Sequence, residues 1–145
     1  MLLRLAPGER LLPGAEAAAR AILEDPRVEA VLLRLDPEGD GAFARAARRQ
    51  MRAWDGRLVH RQTCWAPGAR VAVREGGAGW RAAGSAPLLA DALERGRLVE
   101  AVPGPAVATP LGRDLETWRA AWRNEGRAWG ALAARDARFR PFLPA

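Results

Sequence analysis

Residues 11–41, LLPGAEAAARAILEDPRVEAVLLRLDPEGDG, contain a helix pattern, a break and a strand pattern in that order. Ala and Glu dominate positions 15–24, where apolar residues recur at helical spacing. Asp25-Pro26 ends this pattern, because the residue before a proline disfavours the helical conformation. Positions 28–35 are almost continuously apolar, as expected for a buried strand. The stretch therefore predicts a helix followed by a strand, an alternation that indicates the α/β class.

The sequence on either side continues this alternation of helices and strands. The order of the patterns predicts a strand over 2–5, a turn at Pro7-Gly8, a helix over 43–54, a polar connection over 55–63, a strand over 69–73, a helix between Ser85 and Gly96, short strands over 98–102 and 106–109, and a last helix over 114–138. That last helix carries an apolar stripe of Leu115, Trp118, Trp122, Trp129 and Leu132. An arginine ridge of Arg119, Arg123 and Arg127 lies on another side. We expect one α/β domain over residues 1–145.

The composition is that of a globular protein, with 49% hydrophobic and 28% charged residues. The net charge of +6 comes entirely from arginine, since no lysine occurs among the 23 basic residues. Arginine in place of lysine is typical of a GC-rich coding sequence, so the charge alone is weak evidence for a nucleic-acid partner. With one cysteine and no long apolar run, the chain is expected to be cytoplasmic, with peripheral contact at a membrane surface left open.

The residues that carry chemistry do not form a complete catalytic or metal site. His60 is the only histidine, and Cys64 the only cysteine, four residues apart. This spacing allows a Cys–His pair but does not establish one, and two such residues are too few for a typical zinc site. Trp80 follows the glycine-rich loop 76–79 and is a candidate ligand contact. The tryptophans of the last helix are expected to pack in the core.

Several landmarks in order resemble a family 2 glycosyltransferase. They are LLPGA at 11–15 after a strand, GGAGW at 76–80, LLADALERGR at 88–97, and AVAT at 106–109 followed by Arg113. The resemblance covers about residues 2–130. It implies a partial nucleotide-sugar-transferase-like mixed sheet with flanking helices and a C-terminal helix rich in Arg and Trp. In that family a divalent metal, Mg²⁺ or Mn²⁺, assists glycosyl transfer from a nucleotide sugar.

The sequence departs from the family at both acidic motifs. The strand that carries the metal motif in the family is followed here by Pro7-Gly8-Glu9, which leaves Glu9 as the one candidate metal ligand. The catalytic Glu-Asp pair of the family falls on Ser85-Ala86, neither of which can accept a proton near neutral pH. The family residues that hold the nucleotide base lie before this strand and have no counterpart in the sequence.

The sequence therefore predicts a truncated or degenerate glycosyltransferase-like protein that is not catalytic alone: a pseudoenzyme, a remnant, or half of a split enzyme. No cofactor is expected for this chain alone, whereas a partner that supplies the donor-binding half would bring a divalent metal and a nucleotide sugar. Trp80 and Arg113 are the candidate ligand contacts.

The alternative is a non-enzymatic binding module that uses Arg119, Arg123 and Arg127 against a protein or an anionic membrane surface. Nucleic-acid binding is the least supported. We expect the chain to pair with itself or with a partner chain.

Overall fold

The structure is a computed structural model, and it describes residues 1–60, 63–64, 69–75, 92 and 95–137. The described strands are β1 (Leu2–Leu3), β2 (Arg10–Leu11), β3 (Val28–Pro37), β4 (Val59–His60), β5 (Thr63–Cys64), β6 (Ala69–Val73) and β7 (Leu98–Thr109). The described helices are α1 (Ala15–Leu23), α2 (Ala42–Leu58) and α3 (Leu115–Arg135). A 3₁₀ turn over Pro110–Gly112 connects β7 to the segment before α3.

Five of the strands form one curled mixed sheet in the order β1-β6-β3-β7-β2. β3 pairs with β7 in parallel and with β6 antiparallel. The two edge strands, β1 and β2, each pair antiparallel with the strand beside them. β4 and β5 form a separate two-stranded sheet. The predicted α/β class, with a mixed sheet and flanking helices, is therefore confirmed.

β3 is the central strand, and its sequence explains why. Val28, Ala30, Val31, Leu32, Leu33 and Leu35 are all buried. Successive side chains of a strand point to opposite faces, so the consecutive buried residues 30–33 require cover on both faces. α1 supplies part of this cover through a stripe of Ala15, Ala19 and Leu23, whose spacing places them on one side of the helix. The helix and strand predicted from residues 11–41 are both present.

β7 corrects one prediction, because the two short strands expected around Pro103-Gly104-Pro105 are a single strand. Leu32 of β3 pairs with Ala101, but Arg34 pairs with Pro105, so two residues of β7 are extra at this point. Proline cannot donate to the ladder, and Gly104 has a φ of +78°. The segment therefore bulges and keeps its strand direction instead of turning away.

Two other boundaries differ from the prediction. α2 continues to Leu58, so the polar connection expected from Asp55 begins as helix, and β4 and β5 follow it. Arg10–Leu11 forms the edge strand β2, which the sequence patterns did not indicate. The last helix lies within the predicted 114–138, and residue 138 falls outside the described part of the chain.

The aromatic side chains near the start of α3 attach this helix to α2. Trp118 is buried, and its ring centroid lies 5.9 Å from that of Phe43 in an edge-to-face arrangement. Trp122 is half-buried, and its ring centroid lies 5.4 Å from that of Trp118. Leu115, expected in the same apolar stripe, is 47% exposed.

In the part of the chain that the structure describes, no helix has the length and apolarity needed to cross a bilayer.

Candidate functional site

The candidate site lies where the parallel strands β3 and β7 end together. Pro37, the last residue of β3, pairs with Thr109, the last residue of β7. Ligands of open α/β sheets bind outside the carboxyl ends of the parallel strands, because the loops that follow the strands converge there. Here the loop after β3 begins at Glu38, and the 3₁₀ turn follows β7 directly. We call this region the carboxyl edge.

The two connections at the carboxyl edge are fixed against each other by a close approach at Gly112. The amide N–H of Glu38 donates to the carbonyl oxygen of Thr109 at 2.8 Å. Gly112 is buried, and a Cβ atom there would lie 2.7 Å from Cβ of Pro37 and 2.9 Å from the carbonyl oxygen of Glu38. Only glycine allows this contact without displacing backbone atoms. The backbone of Glu38 is therefore fixed by Gly112 and by the hydrogen bond to Thr109.

Glu9 is the buried carboxylate of the carboxyl edge, with only 1% of its side chain exposed. Arg70 on β6 donates to both of its oxygens, through Nε at 2.7 Å and Nη2 at 2.6 Å. The hydroxyl of Thr109 donates to it at 3.1 Å, and the amide of Ala6 at 2.7 Å. Because β3 lies between β6 and β7, Glu9 joins two strands that do not pair with each other.

The Pro7-Gly8 turn explains why Glu9 can reach this position. Glu9 donates its amide N–H to the carbonyl oxygen of Ala6 at 3.0 Å, which closes a four-residue turn. Gly8 has a φ of +80°, a conformation that type II turns require after proline and that glycine adopts without strain. The predicted turn is therefore present, and it directs the carboxylate of Glu9 back into the protein.

The charge of Glu9 is stabilised in spite of its burial. Burial by itself raises the pKa of the carboxyl group, but the hydrogen bonds from Arg70 and from the amide of Ala6 outweigh it, and the net pKa is lowered from 4.5. Glu9 and Arg70 therefore form a charged pair at neutral pH, with the two parallel hydrogen bonds that make guanidinium–carboxylate pairs strong.

This environment does not fit a divalent cation at Glu9. Its oxygens are engaged by an arginine, a hydroxyl and an amide N–H, all of which are donors, whereas Mg²⁺ and Mn²⁺ require several oxygen acceptors. The guanidinium of Arg70 carries positive charge at the place where a metal would be. Among the described residues, no three carboxylate, histidine or cysteine side chains converge as a metal-binding group.

A second charged cluster lies on the exposed side of the carboxyl edge and is centred on Glu38. Nη2 of Arg10 lies 3.3 Å from Oε1 of Glu38, and Nη2 of Arg113 lies 3.2 Å from Oε2. The two arginine side chains are 64% and 68% exposed, whereas that of Glu38 is 26% exposed. Two guanidinium groups therefore share one partly buried carboxylate. We call Arg10, Glu38 and Arg113 the arginine pair cluster.

Two acidic side chains close in sequence to this cluster have partners of their own. Asp36 accepts a hydrogen bond from Nε of Arg48 at 3.2 Å. Asp114 caps α3, accepting from the amide of Thr117 at 2.7 Å and from its hydroxyl at 2.8 Å. The hydrogen bonds from Thr117 lower the pKa of Asp114. The arginine pair cluster keeps a charge of +1 within its own three residues.

The structure places the candidate residues from the sequence in different regions. Glu9 and Arg113 are brought to the carboxyl edge, whereas the arginine ridge of Arg119, Arg123 and Arg127 lies exposed on α3. Trp80, Ser85 and Ala86 fall outside the described residues. β4 and β5 pair His60 with Thr63 and Val59 with Cys64, so the pairing does not set His60 opposite Cys64.

Sequence reasoning missed four residues of the carboxyl edge: Arg10, Glu38, Arg70 and Thr109. Each belongs to a pattern that is typical of ordinary surface or strand positions. The one available signal was that Asp36 to Gly41 and Pro110 to Asp114 both follow predicted strands. Had those strands been assigned as parallel neighbours, their ends would have met.

Comparisons of this chain with protein-family models, with curated proteins and with solved structures give no match.

Proposed function

We propose that this chain is a degenerate glycosyltransferase-like domain that does not transfer sugar by itself. The observation that carries the proposal is the bidentate ion pair between Glu9 and Arg70. Glu9 is the one acidic residue near the place that the resemblance gives to the metal-binding acid. An internal guanidinium there supplies the positive charge that a metal supplies in active members of the family.

The position of the catalytic base supports the same proposal. The resemblance aligns Ser85-Ala86 with the acidic pair that deprotonates the acceptor hydroxyl. Serine and alanine have no group that titrates near neutral pH, so general-base catalysis has no acceptor at these positions. Substitution of both acidic motifs is the pattern expected of a pseudoenzyme.

The mixed sheet is, on this proposal, part of a nucleotide-sugar-transferase-like sheet. A partner chain would supply the donor-binding half, together with the divalent metal and the nucleotide sugar. In such an assembly this chain would contribute the acceptor-side half. The buried ion pair at Glu9 would then serve to hold this half together, because it connects β6, β7 and the turn before β2.

Calorimetric titration tests the proposal directly. UDP-glucose is titrated into the chain with and without Mn²⁺, and transfer or hydrolysis of the sugar is followed in parallel by product analysis. We expect no turnover, and no heat of binding that depends on Mn²⁺. A saturable Mn²⁺-dependent association in the micromolar range, or any turnover by the chain alone, would overturn the proposal.

The exposed arginine ridge of α3 favours a second candidate function, a non-enzymatic binding module. Arg119, Arg123 and Arg127 are exposed, and none forms an ion pair with a carboxylate within the described part of the chain. This candidate places the chain in the cytoplasm, bound at an anionic membrane surface or a protein partner. Co-sedimentation with phosphatidylserine vesicles tests the membrane arm. The triple alanine variant of the ridge should lose the binding. Binding to duplex DNA at low salt would support the nucleic-acid alternative instead.

A further inference from the structure

We infer that the arginine pair cluster is a binding site for a phosphate group. Arg10 and Arg113 come from β2 and from the segment after the 3₁₀ turn, and both reach the carboxylate of Glu38, which follows β3. Three separate elements therefore converge on one point. This inference does not depend on the proposed function, because it requires neither Glu9 nor a metal.

The donors of the cluster are directed in part toward solvent. A guanidinium group has five N–H donors. In each arginine Nη2 contacts Glu38, and both side chains are about two-thirds exposed. The remaining donors are available to a ligand. Because the two groups contact the two oxygens of one carboxylate, they lie close enough together to bind one tetrahedral anion between them.

Glu38 positions the two arginines and does not neutralise them. Its amide N–H is hydrogen-bonded to Thr109, and its carbonyl oxygen is held against Gly112. The backbone of Arg10 is fixed by pairing with Ala108 of β7. A site whose charged groups are already held in place loses less conformational entropy when a ligand binds. Two guanidinium groups against one carboxylate leave the cluster with a charge of +1.

The geometry favours a tetrahedral oxyanion such as phosphate over a carboxylate. Arginine binds phosphate through paired N–H groups whose spacing matches two of its oxygens. A phosphate has enough oxygens to accept such a pair from Arg10 and another from Arg113, whereas a carboxylate has only two oxygens in all. The position outside the carboxyl ends of β3 and β7 is the place where ligands of α/β sheets bind. The phosphate can come from a soluble metabolite or from a lipid headgroup.

Titration with inorganic phosphate tests the inference, with the NMR resonances of the arginine Nε–H groups as the readout. We expect saturable shifts at Arg10 and Arg113. Arg10→Ala and Arg113→Ala should each weaken binding about tenfold, because each removes hydrogen bonds to a charged ligand. Arg20→Ala and Arg27→Ala are the matched controls. Each removes one exposed arginine that pairs with a neighbour on its own segment, and should leave the dissociation constant within about twofold.

A second arm separates the two sources of phosphate. Phosphatidylcholine vesicles with and without phosphatidic acid are titrated with the same four variants. Binding to vesicles that requires Arg10 and Arg113 assigns the site to a lipid phosphate, and binding to inorganic phosphate alone assigns it to a soluble one. The inference is overturned if neither probe binds saturably, or if Arg20→Ala weakens binding as much as Arg113→Ala. Circular dichroism confirms that each variant is folded.

Discussion

At the scale of single residues, Glu9 is a buried charged side chain whose partners come from distant parts of the sheet. Its carboxylate is almost completely buried and accepts hydrogen bonds from three other residues. A buried ion pair contributes little compared with a well-packed apolar pair of the same shape. Removing one partner is costly, because the other charge is then left without compensation. The pair therefore specifies the arrangement of the strands more than it adds to total stability.

Glu9→Gln should lower the free energy of unfolding by about 3 kcal/mol at pH 7, because Arg70 loses its counter-charge. Chemical denaturation measures the change. Glu16→Gln removes an exposed carboxylate that pairs with Arg20, and should cost less than about 0.5 kcal/mol. Replacing the pair by Glu9→Leu with Arg70→Met should recover much of the loss. Equal losses for Glu9→Gln and Glu16→Gln would show that the buried pair has no special role.

The same substitution should change how stability depends on pH. The pKa of Glu9 is lower in the folded protein than its ordinary value of 4.5, so the unfolded chain binds more protons between these two values. The stabilisation by Glu9 is therefore present above pH 4.5 and is lost as the pH falls through the folded pKa. Unfolding free energies measured across the acid range should decline less steeply in Glu9→Gln than in the parent protein.

At the scale of elements, the contact between the 3₁₀ turn and the end of β3 determines the shape of the carboxyl edge. The turn fits because Gly112 has no side chain. Thr109 begins the turn by accepting the amide N–H of Leu111 with its side-chain oxygen, at 3.4 Å. The same hydroxyl donates to Glu9. One buried threonine thus ends β7, starts the turn and connects both to the ion pair.

Gly112→Ala should destabilise the protein by about 1–3 kcal/mol, because its methyl group would overlap Pro37 and push against the backbone at Glu38. Gly126→Ala is the matched control. Gly126 lies inside α3 with open space where a Cβ atom would be, so alanine there should stabilise the helix by about 0.5–1 kcal/mol. Thermal unfolding of both variants measures the difference. A neutral Gly112→Ala variant would mean that the two connections do not touch in solution.

The order of the elements was more predictable from sequence than their pairing. The apolar run of β3 and the alanine stripe of α1 are local patterns, and both predictions are confirmed. The sequence predicts two strands in place of β7, because Pro103-Gly104-Pro105 resembles a chain break locally and only the pairing with β3 keeps the segment extended.

The contacts of the candidate site are even less predictable from sequence than the strand pairing. The resemblance points to Arg113 and Glu9, but the side chains that contact Glu9 lie far away in sequence. Arg70 becomes its neighbour only through the strand order of the folded sheet. A single sequence carries no local signal for such a pair. The contact of Arg10 with Glu38 is unpredictable from sequence for the same reason. It depends on β2 pairing with β7 and on β7 pairing with β3.

At the scale of the whole molecule, the sheet has two open edges among the described strands. β1 pairs only with β6, and β2 only with β7. Each is two residues long, and Leu2 on β1 is 37% exposed. Edge strands present unpaired backbone groups that favour pairing with another chain. Association of the chain with itself or with a partner stays a prediction, and β1 with its exposed Leu2 is the edge at which it is tested.

Sedimentation velocity over a range of concentrations should show a reversible dimer. Leu2→Lys should shift the equilibrium to the monomer, because a charged side chain on an edge strand opposes pairing. Leu115→Lys alters the other large exposed apolar residue of the described chain, on α3, and should leave the dimer unchanged. A single monomeric species at all concentrations would contradict self-association through β1.

The ion pair of Glu9 also constrains how the chain can be assembled during synthesis. Arg70 lies 61 residues after Glu9, and Thr109 lies 100 residues after it. The ribosome therefore releases the carboxylate long before either of these partners exists, and it stays hydrated in the meantime. β2 likewise has no strand to join until residue 108 has emerged. β3 likewise pairs with β7 only after residues 98–109 have been made, so the sheet depends on contacts between residues that are far apart in sequence, which slows folding.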